Sequence, residues 1–341
     1  MGLDVPGREH LVVVVKGTFS MPRTADGVLR LLDEQEPLTL GDTFTDAPGA
    51  SAPRYESDFA LRKHACDVLL HGSAYTSEGR PETNTTVGLR VGQMSKGFRV
   101  VGDRVWSTSV TGIIRATSPQ RFSVKPISYD VAFGGVDDSE PDAIDAATTN
   151  PIGRGFSKHC HASWLEGRPL PSTEAIDEPI LRPGVTHPPQ AFGPVGRWWA
   201  QRACWAGTYD AQWLDRVFPF LPQDFDERYY QSSPVDQQLP IPTEALDVVL
   251  LNLTCDGRRA FTIPYFDSIV HIAPKQGVRE RHRASLDTIL FEPDAERVIL
   301  TWRVCRPLKR DLFEVDHVQV GGRGREAWGA AKRSKLGGDG E

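Results

Sequence analysis

Apolar residues along this chain fall mostly in short β-branched runs or in strict alternation with polar ones, the two signatures of strands. The run 11–15, followed by Lys16-Gly17-Thr18-Phe19, is too short for a helix and predicts a buried strand. Pro22 and the Ala25-Asp26-Gly27 turn end it, and residues 28–32 can return as its partner. A second set opens at residues 66–72. Thr85, Val87, Leu89 and Val91 then alternate with Thr86, Gly88 and Arg90, the period of a half-buried strand. Gly92-Gln93 leads to a strand carrying Phe98 and Val100, and Gly102-Asp103 leads on to Arg104-Val105-Trp106. Three short strands with two-residue connections predict a meander. Residues 121–131 predict a strand that Pro126 confines to an edge or a bulge.

The C-terminal third repeats this style. Residues 245–255 and 259–263 flank Asp256-Gly257, a hairpin signal because both residues tolerate positive φ. Residues 285–291 meet 297–305 across the 292–295 turn. In the last strand Val298, Leu300, Trp302 and Val304 share one face, while Ile299, Thr301, Arg303 and Cys305 make the other only half polar. Between these blocks, residues 137–242 hold more than half of the prolines and five of the eight tryptophans: Trp164, Trp198, Trp199, Trp205 and Trp213. Prolines forbid long helices and central strands there, while large aromatics still bury area. One short helix is predicted near 210–218, with Asp210 as its cap and Trp213, Leu214 and Val217 on one face.

The expected fold is therefore mainly β: antiparallel meanders forming one large or two packed β domains, with a long irregular segment and one or two short helices. The expected organisation is an N-terminal β region (10–136), the Pro/Trp-rich segment (137–242), a C-terminal β region (243–308) and an extension (309–341). From residue 321 the chain is rich in glycine, alanine and charge and predicts a disordered, solvated tail, its Lys332-Arg333-Ser334-Lys335 cluster included.

Composition narrows the chemistry. A net charge of −6 argues against nucleic acid as a main partner. Five widely spaced cysteines make an odd set, better read as buried free thiols in a reducing compartment than as a disulfide framework. Residues 1–10 are too polar, and the following apolar run too short, for a signal peptide or a membrane span. A soluble cytoplasmic protein is expected, with no membrane partner and no cofactor. No phosphate loop, GxSxG elbow, HExxH helix or CxxC pair occurs. In His159-Cys160-His161 only the two histidines share a face, short of the three or four ligands zinc needs. The acidic run 137–142 lacks the spacing of a calcium loop, and Asp224, Asp226 and Glu227 with Arg228 read as local ion pairs as readily as a paired acid and base. Arg54-Tyr55-Glu56-Ser57-Asp58 reads either as a structural network or as a polar hot spot.

The motifs also form an ordered series. It runs through Arg54–Asp58, Asp67-Val68-Leu69-Leu70, Gly102-Asp103-Arg104-Val105-Trp106, Ala132-Phe133-Gly134-Gly135 and the stretch Asn150-Pro151-Ile152-Gly153-Arg154-Gly155-Phe156. It continues with Phe192-Gly193-Pro194, Arg197-Trp198, Ala206-Gly207-Thr208-Tyr209-Asp210 with Trp213, and Leu221-Pro222-Gln223-Asp224-Phe225-Asp226. It ends with Pro234-Val235-Asp236-Gln237-Gln238 and Leu300-Thr301-Trp302-Arg303. This series resembles the bacterial domain-of-unknown-function family 2169, whose members are encoded beside type VI secretion spike and effector genes. The resemblance implies a non-enzymatic adaptor or chaperone that binds an effector protein and helps load it onto the spike, the VgrG trimer or its PAAR-type tip. It implies no catalytic residues. Candidate partner-binding residues are Arg54, Tyr55, Glu56, Asp58, Arg154, Phe156, Trp198, Trp199, Trp213 and Phe225. The alternative is a hydrolase of unfamiliar type acting on carbohydrate or peptide through carboxylates of residues 137–230.

Overall fold

The computed structural model describes residues 2–321 and is mainly β. Two sheets carry the architecture. The large one has seven strands, with Gly2–Leu3, Glu9–Ser20, Arg297–Pro307, Ser285–Glu292, Ala65–Leu70 and Gln238–Pro240 as successive neighbours and Arg30–Leu31 also on Glu9–Ser20. Its pairings are antiparallel except where Ser285–Glu292 runs parallel to Ala65–Leu70. The second sheet orders Thr173–Glu174, Met94–Val101, Asn84–Val91, Leu246–Leu251 and Arg258–Ile263. A third, three-stranded sheet sets Ile269–Pro274 between Glu280–Arg283 and Val315–Val320.

One hydrophobic core lies between these layers. The large sheet contributes Val68, Phe291, Val298, Leu300 and Trp302, the second sheet Leu89, Phe98 and Val248, and the third Val270 and Ile272. The period-2 pattern accounts for this: Val87, Leu89 and Val91 point inward while Thr86 and Arg90 stay outside. The half-polar face of Arg297–Pro307 is buried as well, with Ile299, Thr301 and Arg303 all inaccessible. That second face is covered by irregular chain, and there the charged motifs collect.

Three expectations change. Trp106 does not extend the meander; Trp106–Thr108 pairs with Ile114–Ala116, and Thr173–Glu174 takes the place beside Met94–Val101. Gly102 turns the chain out of the sheet, packed so tightly on the Gln120 carbonyl that a Cβ would lie 1.8 Å from it. The Asp256-Gly257 hairpin is wider than two residues. Leu251 pairs with Arg258, Asn252 and Gly257 take positive φ, and Asp256 instead binds Arg259 at 3.1 Å. Three short α-helices occur among the described residues: Ala162–Leu165, Ala200–Ala203 and Ala211–Arg216. Asp210 caps the last, its carboxylate accepting from Trp213 N at 2.8 Å. Its predicted apolar face is not buried; Leu214 is 63% exposed. Val124–Ile127 does form the Pro126-bearing strand, in a two-stranded ribbon with Gly72–Tyr75. The 137–242 segment is ordered but irregular, and the tail from residue 322, with the Lys332–Lys335 cluster, lies outside the described residues.

Candidate functional site

Residues 53–63 cross the second face of the large sheet, and the charges beneath them are matched one by one. Tyr55 donates its hydroxyl to Glu292, which also accepts from Arg297 at 2.5 Å. Glu56 meets Arg197 at 2.8 Å and Arg202 at 2.6 Å. Ser57 N binds Asp42 at 2.8 Å, and Asp58 takes the Lys16 ammonium at 2.9 Å and Thr39 N at 2.7 Å. Arg303 reaches from the sheet to Asp287 at 2.6 Å and to the Asp58 and Ala60 carbonyls. The 54–58 stretch is thus a clamp made with residues far away in sequence. Arg54 alone turns outward, over the Tyr55 ring.

Deeper under the same cover, Asp67 is fully buried and accepts from Lys63 at 2.7 Å, Gln231, Ser232 and Ser233. Burial pushes its carboxyl up, but the Lys63 charge and the converging donors outweigh that and hold it below its ordinary value. Burial likewise works against Lys63, yet Asp67 and Asp287 keep its ammonium above the usual lysine value. The pair is ionised and fully hydrogen-bonded, the condition under which a buried charge is tolerated. Gln237 ties the layers together, donating to the carbonyls of Val68 and Phe192 and accepting from Lys96 of the second sheet.

Beside the clamp opens a cavity of about 470 Å³, lined in part by Arg54, His71, Ser73, Asp130, Asp294 and Arg297. Asp294 is held by Ser73 and Tyr75, and Asp130 by Ala52 N, Thr45 and Ser128. His71 Nε2 is buried without a hydrogen-bond partner among the described residues, and burial lowers the ring's pKa, keeping it neutral.

The Pro/Trp-rich segment separates into buried and exposed aromatics. Trp199 is 1% exposed and stands edge-on to Tyr129, whereas its neighbour Trp198 is 50% exposed. Phe225 is buried against Tyr229 and Tyr230. Arg154 and Phe156 are half-buried at a smaller cavity of about 120 Å³ under Trp164. Trp213 is half-buried in an aromatic chain with Tyr209 at 4.7 Å and Phe218 at 5.6 Å. Around it Tyr209, Leu214, Phe218 and Phe220 are all exposed. The structure therefore does not gather the ten candidate residues into one site.

Several motifs turn out to lock each other. Asn150 donates to the carbonyls of Tyr129 and Phe133, and Phe133–Gly134 pairs in parallel with Arg154–Gly155. Gly134 has φ +151°, and a Cβ there would lie 2.0 Å from the Asn150 carbonyl. Only glycine permits that approach. Such a pairing of two motifs distant in sequence gives no local signal.

A family model described as "Uncharacterized protein conserved in bacteria (DUF2169)" matches residues 6–303. The chain belongs to this DUF2169 family. No curated protein and no solved structure matches it. The residues that carry the resemblance lie inside the matched region, and Glu56, Asp67, Gly134, Asn150 and Gln237 among them fasten the fold from within. His159 and His161 stack at 6.1 Å and face Glu140, while Asp137 accepts from Ser139, Lys158 and His159 backbone N–H groups. No group of three or more metal-ligating side chains occurs among the described residues. Asp224 binds Thr208, Asp226 binds Arg228, and Glu227 binds Arg62 and His64. Of the cysteines only Cys66 is fully buried; Cys204 and Cys255 are exposed, contrary to a uniformly buried set. No helix among the described residues is long and apolar enough to cross a membrane.

Proposed function

We propose that this DUF2169 chain is a non-enzymatic adaptor or chaperone that binds a type VI secretion effector and helps load it onto the VgrG/PAAR spike. The observation that carries the binding role is the aromatic group at residues 209–220. Tyr209, Leu214, Phe218 and Phe220 stay exposed in the segment around a half-buried Trp213. Contiguous apolar surface of this kind marks protein contact sites, and rigid aromatics lose little entropy on binding. The secretion context comes from what the resemblance of the ordered motif series implies, and the family match supports its bacterial setting alone. The hydrolase alternative draws no support from Asp224, Asp226 and Glu227, each of which is engaged by a nearby side chain.

Co-expression with the products of the neighbouring effector and spike genes tests the proposal. The expected result is a stoichiometric complex that survives size-exclusion chromatography. Folded partners that elute separately from the chain, alone and in combination, overturn it.

A further inference from the structure

The longest strand of the large sheet, Glu9–Ser20, is paired along one edge from His10 to Ser20 by Arg297–Pro307. Among the described residues its other edge is paired only at the ends. Gly2 and Leu3 take His10 and Glu9, and Arg30 and Leu31 take Ser20 and Phe19. Thr18 shows which residues face this edge. Its N–H donates to Gln35 Oε1 at 2.8 Å, and its carbonyl accepts from Leu32 N at 2.9 Å and Gln35 Nε2 at 3.1 Å. In an antiparallel ladder the backbone groups of alternate residues turn the same way, so Val12, Val14 and Lys16 also direct N–H and C=O outward. No hydrogen bond is made to those groups among the described residues.

Proteins usually blunt such an edge with proline, a bulge or a standing charge. None of these occurs here. The ladder register is unbroken, the run Val12-Val13-Val14-Val15 is β-branched throughout, and the Lys16 ammonium is drawn onto the sheet face by Asp58, Thr39 and the Pro37 carbonyl. The adjoining side chains are apolar on both faces. Val13 and Val15 pack on the main core, and Val12 lies with Leu61 around Gly2.

We propose that the Val12–Lys16 edge is a strand-addition site that takes an extended, uncharged, β-branched segment of a partner polypeptide. A second copy of this chain does not fit. Edge-to-edge pairing about a twofold at Val14 sets His10 of one copy opposite Thr18 of the other, and both positions are already filled, by Gly2 and by Gln35. A single free segment does fit, because the gap from His10 to Thr18 spans roughly 26 Å of strand. The inference rests on the binding role proposed above and supplies its mode of recognition.

Isothermal titration of the full chain with a capped octapeptide of alternating threonine and valine, a lysine at each end, tests this. The same peptide N-methylated at alternate residues, in each of the two possible phases, serves as comparison. Saturable binding is expected, weakened about tenfold or more by N-methylation in one phase, since each lost backbone bond counts there. Val14→Pro removes a donor facing the gap and no bond of the ladder with Arg303, so it should weaken binding similarly while Val14→Thr does not. Equal binding of methylated and unmethylated peptides, or no saturation up to about 1 mM, overturns the site. The methylation comparison uses the native chain and stands even where Val14→Pro fails to fold. A silent peptide with an intact effector complex removes this edge alone, whereas peptide binding without any complex removes the effector reading and keeps the edge.

Discussion

Lys96 and Gln237 meet at 2.8 Å in the interior, an ammonium of the second sheet against the side-chain carbonyl of a residue that also binds the first. The Gln237 amide donates to the Val68 and Phe192 carbonyls, so one side chain satisfies three buried groups at the seam between the sheets. Gln237→Leu takes a donor from each of those carbonyls, although Phe192 O keeps the Leu70 N–H at 3.1 Å, and takes an acceptor from Lys96, and should cost about 2–3 kcal/mol. Urea unfolding at constant m-value measures it. Arg80→Ala is the control, since its pair with Glu78 is exposed on both sides and its loss should stay within about 0.5 kcal/mol.

Acid should unfold the protein in part through Asp67. Its folded carboxyl titrates below the ordinary 3.8, so the unfolded chain takes up the proton first. The stabilisation is complete above that ordinary value and is lost as pH falls through the lower folded one. Glu280, lowered to about 2 by Arg306 and His282, adds to the same acid limb. Asp67→Asn should therefore shallow the fall in stability below pH ~4 without removing it. At neutral pH the same change leaves Lys63 buried beside a neutral amide and should cost about 3–5 kcal/mol. Chemical denaturation repeated from pH 7 to pH 2.5 reads both effects; an acid limb of unchanged slope in the variant would show that Asp67 does not carry it.

The glycine lock gives a sharper contrast. Gly134→Ala drives a Cβ to 2.0 Å from the Asn150 carbonyl and separates the two paired motifs. Gly49 also has positive φ, +79°, but no atom of the described residues lies within 4 Å of its added Cβ. Gly49→Ala should cost only the backbone strain of about 1 kcal/mol. Gly134→Ala should cost several times that and reduce the soluble yield. Thermal melts of the two variants side by side decide it, and equal melting temperatures would contradict the packing described.

How much of this was legible in the sequence depends on the range of each interaction. Alternation placed the strands because period 2 is a local property, and Val87, Leu89 and Val91 are buried as the pattern required. Neighbour order was not legible past the first hairpin, since a turn signal at Gly102 marks where a strand ends and not which strand follows beside it. The 54–58 stretch left a structural network and a hot spot open together. Its partners Arg197, Arg202 and Glu292 lie more than a hundred residues away, beyond any local reading. Aromatic content marked the 137–242 segment but not the side each ring takes, and adjacent Trp198 and Trp199 ended on opposite sides of the surface. The open strand edge required knowing what lies on both sides of Glu9–Ser20, which only the fold supplies.

The exposed aromatic group separates stability from binding. Leu214 is 63% and Phe218 61% exposed, so Leu214→Ser with Phe218→Ser removes little buried area, and melting should shift by no more than about 2 °C. Trp199→Ala, by contrast, empties a core position against Tyr129 and should cost about 3–5 kcal/mol. With the neighbouring effector and spike proteins as ligands, the serine pair should lower affinity by tenfold or more, about 1.4 kcal/mol, because aromatic anchors carry a large share of interface energy. Wild-type affinity in the double serine variant, with its fold intact, would move the contact surface away from residues 209–220. Binding that survives there but falls with Val14→Pro would place recognition on the open edge of the large sheet instead.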